Sequence, residues 1–319
     1  MIAYPVTQDQ LVAAIERISP NWLTKAHRDT LAARGTLKYD SSKNYWGDIK
    51  QAFMTLQSNK CAYCEKPMAE GEKSNIDYDV EHHRPKSRCR PWPDAKTKQR
   101  LNIDYVLNNG RDRGYPELAF HPFNYIVACK VCNSPYKSDY FPLIGNPNQD
   151  SFDPVELNRT ENPVIPMPLG EWGEDPSDFL DFEGFVAVAK SNEPRRKKRA
   201  EAFIDFFELN RRSDLLVGRA VLVLLCYYAL REVKEPDLAR NKLEAQKWVD
   251  DYCASGTGYS AVAKSFVKLF GTQPQLAKEY AQIAMVYVNR KSKSLGNALF
   301  LQGSNNRITM EDAIKAVRA

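Results

Sequence analysis

The chain has 319 residues, and its 43% hydrophobic and 27% charged content excludes a collagen-like or highly charged disordered protein. The 45 basic and 40 acidic side chains give a formal net charge of +5, which permits a polyanionic partner but does not identify one. Seven cysteines are too few for a disulfide-stapled secreted protein of this length, and they suit a reducing compartment.

The first predicted elements are helices. Residues 8–34 have a helical composition that is interrupted at Pro20. A further helix is predicted within residues 45–58, where one apolar stripe at helical spacing consists of Trp46, Ile49, Phe53 and Leu56. This helix leads directly to the first pair of cysteines.

Two short strands and a helix are predicted around the cysteines. Residues 75–81 alternate in part between apolar and polar side chains, and the strand ends before Pro85 because proline cannot donate to a ladder. Residues 124–128 form the second strand, and a helix begins within or just after the second cysteine pair. A polar insertion, residues 86–116, separates the two strands.

The remainder is predicted to be a turn-rich connection followed by helices. Proline and glycine are frequent in residues 141–173, and a hairpin is centred on Glu183-Gly184. Helices run from Glu193 to the end, the last of them between Thr309 and Arg318. We therefore expect four segments: a helical segment (1–60), a cysteine-bounded core with a basic insertion (61–145), a linker with a β-hairpin (146–192) and a helical domain (193–319).

No targeting signal is recognised in the sequence. Residues 1–5 have neither the basic nor the apolar region of a signal peptide. The longest apolar run, residues 220–230, is too short to cross a bilayer and indicates a buried helix. We expect a cytoplasmic protein with no membrane contact.

Four of the cysteines form two CxxC pairs, Cys61 with Cys64 and Cys129 with Cys132. This spacing lets both thiolates of a pair face one ion, and two pairs together complete a tetrahedral Zn²⁺ site. A redox function is the alternative, although a redox pair usually stands alone near a βαβ unit. Because four thiolates close the coordination shell, the predicted zinc is structural.

Between the cysteine pairs, residues 81–85 read Glu-His-His-Arg-Pro. A carboxylate such as Glu81 is a hard ligand for Mg²⁺, and the neighbouring imidazole, with a pKa of roughly 6.5, can take a proton from water. Asn124 and Asn133 flank the second cysteine pair, where an amide oxygen can orient a histidine or ligate a hard cation. A salt-bridged surface histidine and two turn asparagines are the alternatives, and the flanking cysteines favour the functional interpretation.

The order CxxC, [DE]-H-x-x-P and N-x4-C-x2-C-[HN] resembles that of HNH endonucleases with the ββα-metal fold. Asparagine stands at the third position of the motif, so the chain resembles an HNN variant. The resemblance implies that His82 is the general base, that Glu81 and Asn133 bind a catalytic divalent cation, Mg²⁺, and that Asn124 orients the base. His83 is a competing base, which the spacing to the proline disfavours.

A wider resemblance covers roughly residues 45–220. It is a resemblance to bacterial HNH proteins of the Septu and retron-associated PtuB type, and it rests on Trp46 to Glu65, residues 83–87, Cys132-Asn133, Lys137 and residues 206–211. It implies a nuclease of anti-phage defence that works beside an ATPase of the ABC/SMC-like class. A second copy of this chain is an alternative partner.

Basic residues accumulate in and after the motif. Such a patch binds nucleic-acid phosphates without reading the sequence, and a solvated loop is the alternative interpretation. The positions expected to contact nucleic acid are Arg84, Lys86, Arg88 and Lys137.

The predicted fold is α+β: a small ββα-metal core with a four-cysteine zinc site, embedded in a mostly α-helical protein. The predicted function is metal-dependent hydrolysis of nucleic-acid phosphodiester bonds, with DNA favoured over RNA. Two alternatives stay open, a zinc-stapled nucleic-acid-binding module without catalysis and a stand-alone restriction or toxin nuclease without a partner.

Overall fold

The computed structural model describes residues 1–68, 77–234 and 242–297, with side chains described as far as residue 291. Both helices and strands are present, as expected for an α+β protein. The chain divides into two compact units, one of residues 2–176 and one of residue 1 with residues 177–319. The four predicted segments are a finer division and stay a prediction. The start of the strand predicted at residue 75 and the helix predicted from Thr309 lie outside the described residues.

Three helices open the first unit, in regions that the sequence predicts to be helical. They are α1 (Gln8–Ile18), α2 (Trp22–Thr36) and α3 (Lys50–Leu56), the last preceded by a 3-10 turn (Tyr45–Ile49). The Thr7 hydroxyl accepts a hydrogen bond from the Gln10 N–H and the Gln10 side chain accepts one from the Thr7 N–H, so α1 begins with a capping box. Ile49 and Phe53, from the predicted apolar stripe, have no exposed surface and anchor their segment in the core.

The strands of the first unit form two antiparallel pairs, β1 with β3 and β2 with β4. They are β1 (Tyr78–His82), β2 (Asn108–Asn109), β3 (Tyr125–Cys129) and β4 (Pro142–Leu143). In the first pair, Tyr78 lies opposite Cys129 and His82 lies opposite Tyr125. The second cysteine pair and the histidine therefore occupy opposite ends of one ladder. Strand β1 ends before Pro85, as predicted.

A helical turn of unusual width follows β3. Residues Cys132–Lys137 are π-helical, and the Ser138 N–H donates to the Asn133 carbonyl at 2.7 Å. Turns of this kind are often found at functional sites. The helix predicted after the second cysteine pair is therefore present, in a wider form that carries Asn133 and Lys137.

Residues 142–176 pack into the first unit. Helix α4 (Ala95–Leu101) lies in the polar insertion, and α5 (Pro154–Glu161) lies in the segment that was expected to be a linker. That segment is well packed, since its buried side chains include Val164, Ile165, Leu169 and Trp172. Its proline and glycine content therefore reflects turns within a core.

The described part of the second unit consists of a hairpin and five helices. The hairpin, β5 (Leu180–Glu183) with β6 (Val186–Ala189), turns at Gly184, whose φ of +55° glycine adopts without strain. The helices are α6 (Pro194–Phe206), α7 (Ser213–Lys234), α8 (Lys242–Cys253), α9 (Ser260–Thr272) and α10 (Pro274–Asn297). The predicted hairpin is confirmed, and so are the helices predicted after residue 193, within the described residues 194–234 and 242–297.

Helix α7 is longer than the apolar run within it. Its 22 residues include a window with a mean hydropathy of 1.6, so by length and composition the helix could cross a membrane. The prediction that this segment is too short to cross a bilayer is therefore wrong on length, because it considers only residues 220–230 and the helix extends beyond them at both ends. Half of that window is buried within the protein, which is also the pattern of a core helix. The absence of membrane contact stays a prediction.

A buried ion pair holds α5 against the chain that leaves β1. Arg84 and Glu161 are 1% and 0% exposed, and the guanidinium Nε and Nη2 each donate to Glu161 Oε2 at 3.2 Å. Glu161 Oε1 accepts from the Tyr115 hydroxyl at 2.8 Å and from the Asn148 N–H at 3.0 Å. Both charges are therefore compensated, as a buried ion pair requires.

Replacing Glu161 by Ala is expected to lower the free energy of unfolding of the first unit by about 3–5 kcal/mol, because Arg84 would keep a buried charge without its partner. Four of the five tryptophans lie in residues 2–176, so urea unfolding followed by tryptophan fluorescence measures mainly this unit. Glu16→Ala, at an exposed carboxylate of α1, is the control and should change the value by less than about 0.5 kcal/mol. Equal stability of the two variants would contradict the role of the pair.

Candidate functional site

The four paired cysteines lie together. The sulfur atoms of Cys61, Cys64, Cys129 and Cys132 are all within 4.8 Å of one another, and Cys64 Sγ is 3.9 Å from Cys129 Sγ. Zn–S bonds of about 2.3 Å in a tetrahedron place the sulfurs about 3.8 Å apart. The buried cluster can therefore hold one metal ion such as zinc.

The first cysteine pair is attached to β3 through its backbone and through Gln57. The Ala62 N–H donates to the Val127 carbonyl at 3.1 Å. The buried Gln57 amide binds the same residue twice, since Nε2 donates to the Val127 carbonyl at 2.8 Å and Oε1 accepts from its N–H at 2.7 Å. Both CxxC pairs are therefore positioned by one strand, at whose end Cys129 lies.

Burial opposes negative charge on these thiols. It raises the pKa of Cys61 and of Cys132 well above the usual value, because a thiolate is poorly solvated there. The pKa of Cys129 is lowered, because Cys132 and then the other two thiols donate hydrogen bonds to its sulfur. A divalent cation would compensate the thiolate charge that burial disfavours, so the donor set fits Zn²⁺.

The His82 ring is fixed by three contacts. Its Nε2 lies 3.0 Å from the Ala119 carbonyl oxygen. Because a carbonyl can only accept, Nε2 carries the proton and Nδ1 keeps its lone pair. Trp46 and Tyr125 pack edge-on against the ring, with centroids 4.9 and 5.0 Å away. Burial, and then the charge of Lys86, holds the pKa of His82 well below 6.5, so the imidazole is neutral at pH 7 and can accept a proton.

Glu81 faces away from the side of β1 that carries His82, because successive strand residues point to opposite faces. Its Oε1 lies 3.1 Å from Lys137 Nζ, and these side chains are only 8% and 0% exposed. Burial holds the pKa of Glu81 above its usual value, and the charge of Lys137 and then that of Lys86 only partly offset this rise. The same two lysines lower the pKa of His82, so the carboxyl group and the imidazole share one electrostatic environment.

Asp79 is a candidate ligand that the sequence analysis missed. It lies two residues before Glu81, on the same face of β1, and its Oδ2 accepts a hydrogen bond from Asn133 Nδ2 at 3.3 Å. Lys130 Nζ lies 3.0 Å from the same oxygen. The alternation of acidic residues along the predicted strand was the signal that could have found it. Strand β1 therefore presents two carboxyl groups to the turn that carries Asn133.

Asn124 joins β1 to β3 near the histidine. Its Oδ1 accepts from the Arg84 N–H at 2.8 Å and its Nδ2 donates to the Arg84 carbonyl at 3.0 Å. The His83 N–H also donates to the Asn124 carbonyl, at 2.8 Å. Asn124 thus fixes the backbone that follows His82, whereas the Ala119 carbonyl orients the ring. The predicted orienting role of Asn124 is indirect in this geometry.

Two of the predicted nucleic-acid contacts are buried. Arg84 and Lys137 are 1% and 0% exposed, and they pair with Glu161 and Glu81. Neither charged group reaches the surface, so the expectation of a direct phosphate contact is corrected for both. The sequence could not show this, because their acidic partners are distant along the chain.

The other two predicted contacts are accessible. Lys86 is half-buried, with its Nζ 5.0 Å from the centroid of the Trp46 ring, which itself packs against His82. The Arg88 side chain is 66% exposed and pairs with Asp139. Both cations can therefore meet a polyanion, and Lys86 is the one whose charge acts on His82.

His83, the competing base, belongs to the core. It has no exposed surface, its Nε2 lies 2.9 Å from the Ile165 carbonyl oxygen, and its ring packs edge-on against Phe141 at 5.2 Å. His83 therefore has no surface to offer a substrate, whereas His82 keeps 6% of its surface exposed, and on this ground the geometry favours His82 over His83.

Comparison with curated proteins identifies a distant relative. The chain is 26% identical over 168 residues to the Septu protein PtuB of Bacillus mycoides (strain KBAB4). The aligned region covers 52% of this chain and 48% of the relative, so the chain matches about half the length of that protein. No family model and no solved structure matches the chain.

Cys61→Ser and Cys129→Ser are each expected to lose bound zinc and to unfold the first unit. The reason is that the free energy of structural zinc binding, on the order of 10 kcal/mol, is free energy of folding. Elemental analysis of the wild-type protein should give one zinc per chain, and circular dichroism should report the loss of structure. Cys253→Ser, at a half-buried cysteine of the second unit, should keep both zinc and fold. Folded wild-type protein without zinc would rule the site out.

Proposed function

We propose that this chain is a metal-dependent HNH endonuclease whose ββα-metal core consists of β1, β3 and the helical turn after β3. The His82 ring is the observation that carries the proposal. It is neutral, it donates from Nε2 to the Ala119 carbonyl, and it lies at the end of the strand that also bears Glu81. A neutral imidazole with an oriented lone pair is what a general base acting on water requires.

In the proposed mechanism His82 Nδ1 takes a proton from a water molecule that is in line with the scissile phosphorus. The Ala119 carbonyl keeps Nε2 protonated and stabilises the imidazolium that forms, since the hydrogen bond strengthens as the ring gains charge. Trp46 and Tyr125 restrict rotation of the ring, so the lone pair keeps its direction.

Glu81 and Asn133, together with Asp79, would hold the catalytic cation. We propose Mg²⁺ because carboxylate and amide oxygens are hard ligands. When bound, such an ion supplies stabilisation of the negative charge on the phosphate and on the leaving oxygen. Within the chain itself, burial raises the pKa of Glu81 and the charge of Lys137 partly offsets that rise, so Lys137 supports the ionised form that would bind a cation.

The proposed substrate is nucleic acid, with DNA favoured over RNA. Lys86 and Arg88 would contact its phosphates, because Lys86 is a half-buried cation whose charge acts on His82 and Arg88 is an exposed cation that follows it by two residues. Contacts of this kind hold the backbone and carry no sequence information.

The distant relation to a Septu protein supports a role in anti-phage defence. We propose that the chain is the nuclease subunit of such a system, that it acts in the cytoplasm, and that it works beside an ATPase of the ABC/SMC-like class. The second unit would be the docking region for the ATPase or for a second copy of this chain. These partners rest on the resemblance, which covers about half of each protein.

His82→Ala is expected to reduce Mg²⁺-dependent cleavage by roughly 100- to 10,000-fold, because proton transfer by a positioned side chain contributes that much. Folding and nucleic-acid binding should be retained. The assay compares plasmid, single-stranded DNA and RNA, with and without an ATPase encoded beside the gene. Cleavage by the variant at the wild-type rate would exclude His82 as the base. Binding without cleavage by the wild type in every condition would favour the non-catalytic zinc module.

The pH dependence of cleavage tests the same residue. The value of kcat/KM should be flat near pH 7 and fall at acid pH, because burial and Lys86 hold the pKa of His82 well below 6.5. Lys86→Gln removes a cation that disfavours the protonated ring, so the pKa of His82 should rise and the acid limb should move to higher pH. Arg88→Gln, at an exposed arginine paired with Asp139, should weaken binding without moving that limb. If the acid side of the kcat/KM profile stayed at the same pH in Lys86→Gln, the assignment of His82 as the general base would be contradicted.

A further inference from the structure

The loop that holds the His82 ring also lines a cavity. Ala119 contributes the carbonyl that accepts from His82, and residues 121–123 form one wall of the cavity. The other walls are α1 and α2. Its volume is about 400 Å³, within the range of small-molecule sites. Nothing in the proposed nuclease mechanism uses this space.

Hydrogen-bond donors gather in the lining of the cavity. Arg34 has five N–H donors, of which one donates to the Phe152 carbonyl at 3.3 Å. His121 Nδ1 accepts from the Phe123 N–H at 3.2 Å, so the proton of the neutral ring is on Nε2, where it can be donated. Burial, and then the charge of Arg34, lowers the pKa of His121 to about 4, so this ring is neutral at pH 7.

The charge of Arg34 has no acidic counterpart in the lining. No Asp or Glu is present among the residues that line the cavity in the described part of the chain. Asp153 acts on His121 from outside the lining, and its Oδ1 accepts from the Val155 N–H at the start of α5. A guanidinium with no acidic residue in the same lining, beside a neutral imidazole donor, favours an anion such as a phosphate.

Most of the remaining lining is apolar, one residue of it is aromatic, and its other polar residues are Gln8, His27 and Thr30. Phe123 is half-buried in the cavity wall. It stacks on Trp172, with ring centroids 4.3 Å apart and planes 7° from parallel, and the His121 ring packs edge-on against it at 5.2 Å. Leu11, Val12 and Leu23 complete this wall. A flat heterocycle bound in the cavity would meet the Phe123 ring, and contact between a base and an aromatic side chain is how many proteins hold a nucleobase.

We propose that this cavity binds a nucleoside monophosphate, with the base against Phe123 and the phosphate at Arg34 and His121. Two sources present this chemistry, a free mononucleotide and the phosphorylated end of a nucleic-acid strand. The cavity shares no lining residue with the proposed cation site of Glu81, Asn133 and Asp79. Ligand binding in the cavity does not require nuclease activity. One wall of the cavity belongs to the loop whose Ala119 carbonyl orients His82. His121, which would contact the ligand, follows Ala119 by two residues.

Isothermal titration calorimetry of the full chain tests the site, with the His82→Ala variant used so that no strand is cut. The probes are AMP, adenosine, which lacks the phosphate, and inorganic phosphate, which lacks the base. We expect one AMP per chain, bound at least tenfold more tightly than either fragment. The same affinity for AMP and adenosine, or no AMP binding at millimolar concentration, overturns the proposal.

Substitutions at the cavity locate the binding. Arg34→Gln is expected to weaken AMP binding at least tenfold, whereas Arg17→Gln, at an exposed arginine of α1 outside the lining, should leave it unchanged. Leu23→Trp fills the cavity and keeps its charge, so it should also abolish binding, and it replaces Arg34→Gln if that variant does not fold. Unchanged AMP affinity in a folded cavity variant overturns the proposal.

A 5′-phosphorylated tetranucleotide distinguishes the two sources. Binding as tight as that of AMP assigns the cavity to a strand end, and binding at least tenfold weaker assigns it to a free nucleotide. Because the measurement is made without catalysis, its outcome is independent of the nuclease proposal. Cleavage with no AMP binding would leave the nuclease proposal intact, and AMP binding with no cleavage would leave the cavity proposal intact.

Discussion

The antiparallel pairing of β1 with β3 is the constraint on which the rest of the first unit depends. Its register places Tyr78 opposite Cys129 at one end and His82 opposite Tyr125 at the other. The ladder therefore sets the separation between the cysteine cluster and the candidate base. A shift of one residue would move every side chain of β1 to the other face, and Glu81 would lose Lys137. Metal binding by the cysteines would thus stabilise the position of His82 through the pairing of β1 with β3.

Charged side chains in the core of the first unit are neutralised by direct ion pairs. Arg84 with Glu161, Lys137 with Glu81, and Arg111 with Glu117 are all buried and joined by ion pairs. Such pairs contribute little net stability compared with apolar packing, but removing one partner is costly. Their effect here is positional, because each connects a loop or strand of the site to a neighbouring element. The positions of residues 81–85 therefore depend on ion-pair partners, such as Glu161, that belong to no recognisable sequence motif.

The sequence predicts the elements better than it predicts the surroundings of their charged groups. The CxxC pairs and the end of β1 before Pro85 are local patterns, and local patterns are visible in a sequence. Arg84 was expected to meet phosphates because it lies in a basic stretch, whereas its partner Glu161 is 77 positions away. The carbonyl that orients His82 belongs to the backbone of Ala119, and any residue type supplies a carbonyl, so no sequence signal exists. Asp79 was predictable from strand alternation, which places it beside Glu81.

The Gln57 amide makes with Val127 the two hydrogen bonds that a neighbouring strand would make. An open strand edge is a template for pairing with another chain, and many partners bind by adding a strand to such an edge. On the side of β3 away from β1, that position is taken by a side chain of the same protein. At this edge a partner cannot dock by β-augmentation, and would have to recognise side chains instead of the backbone of the motif.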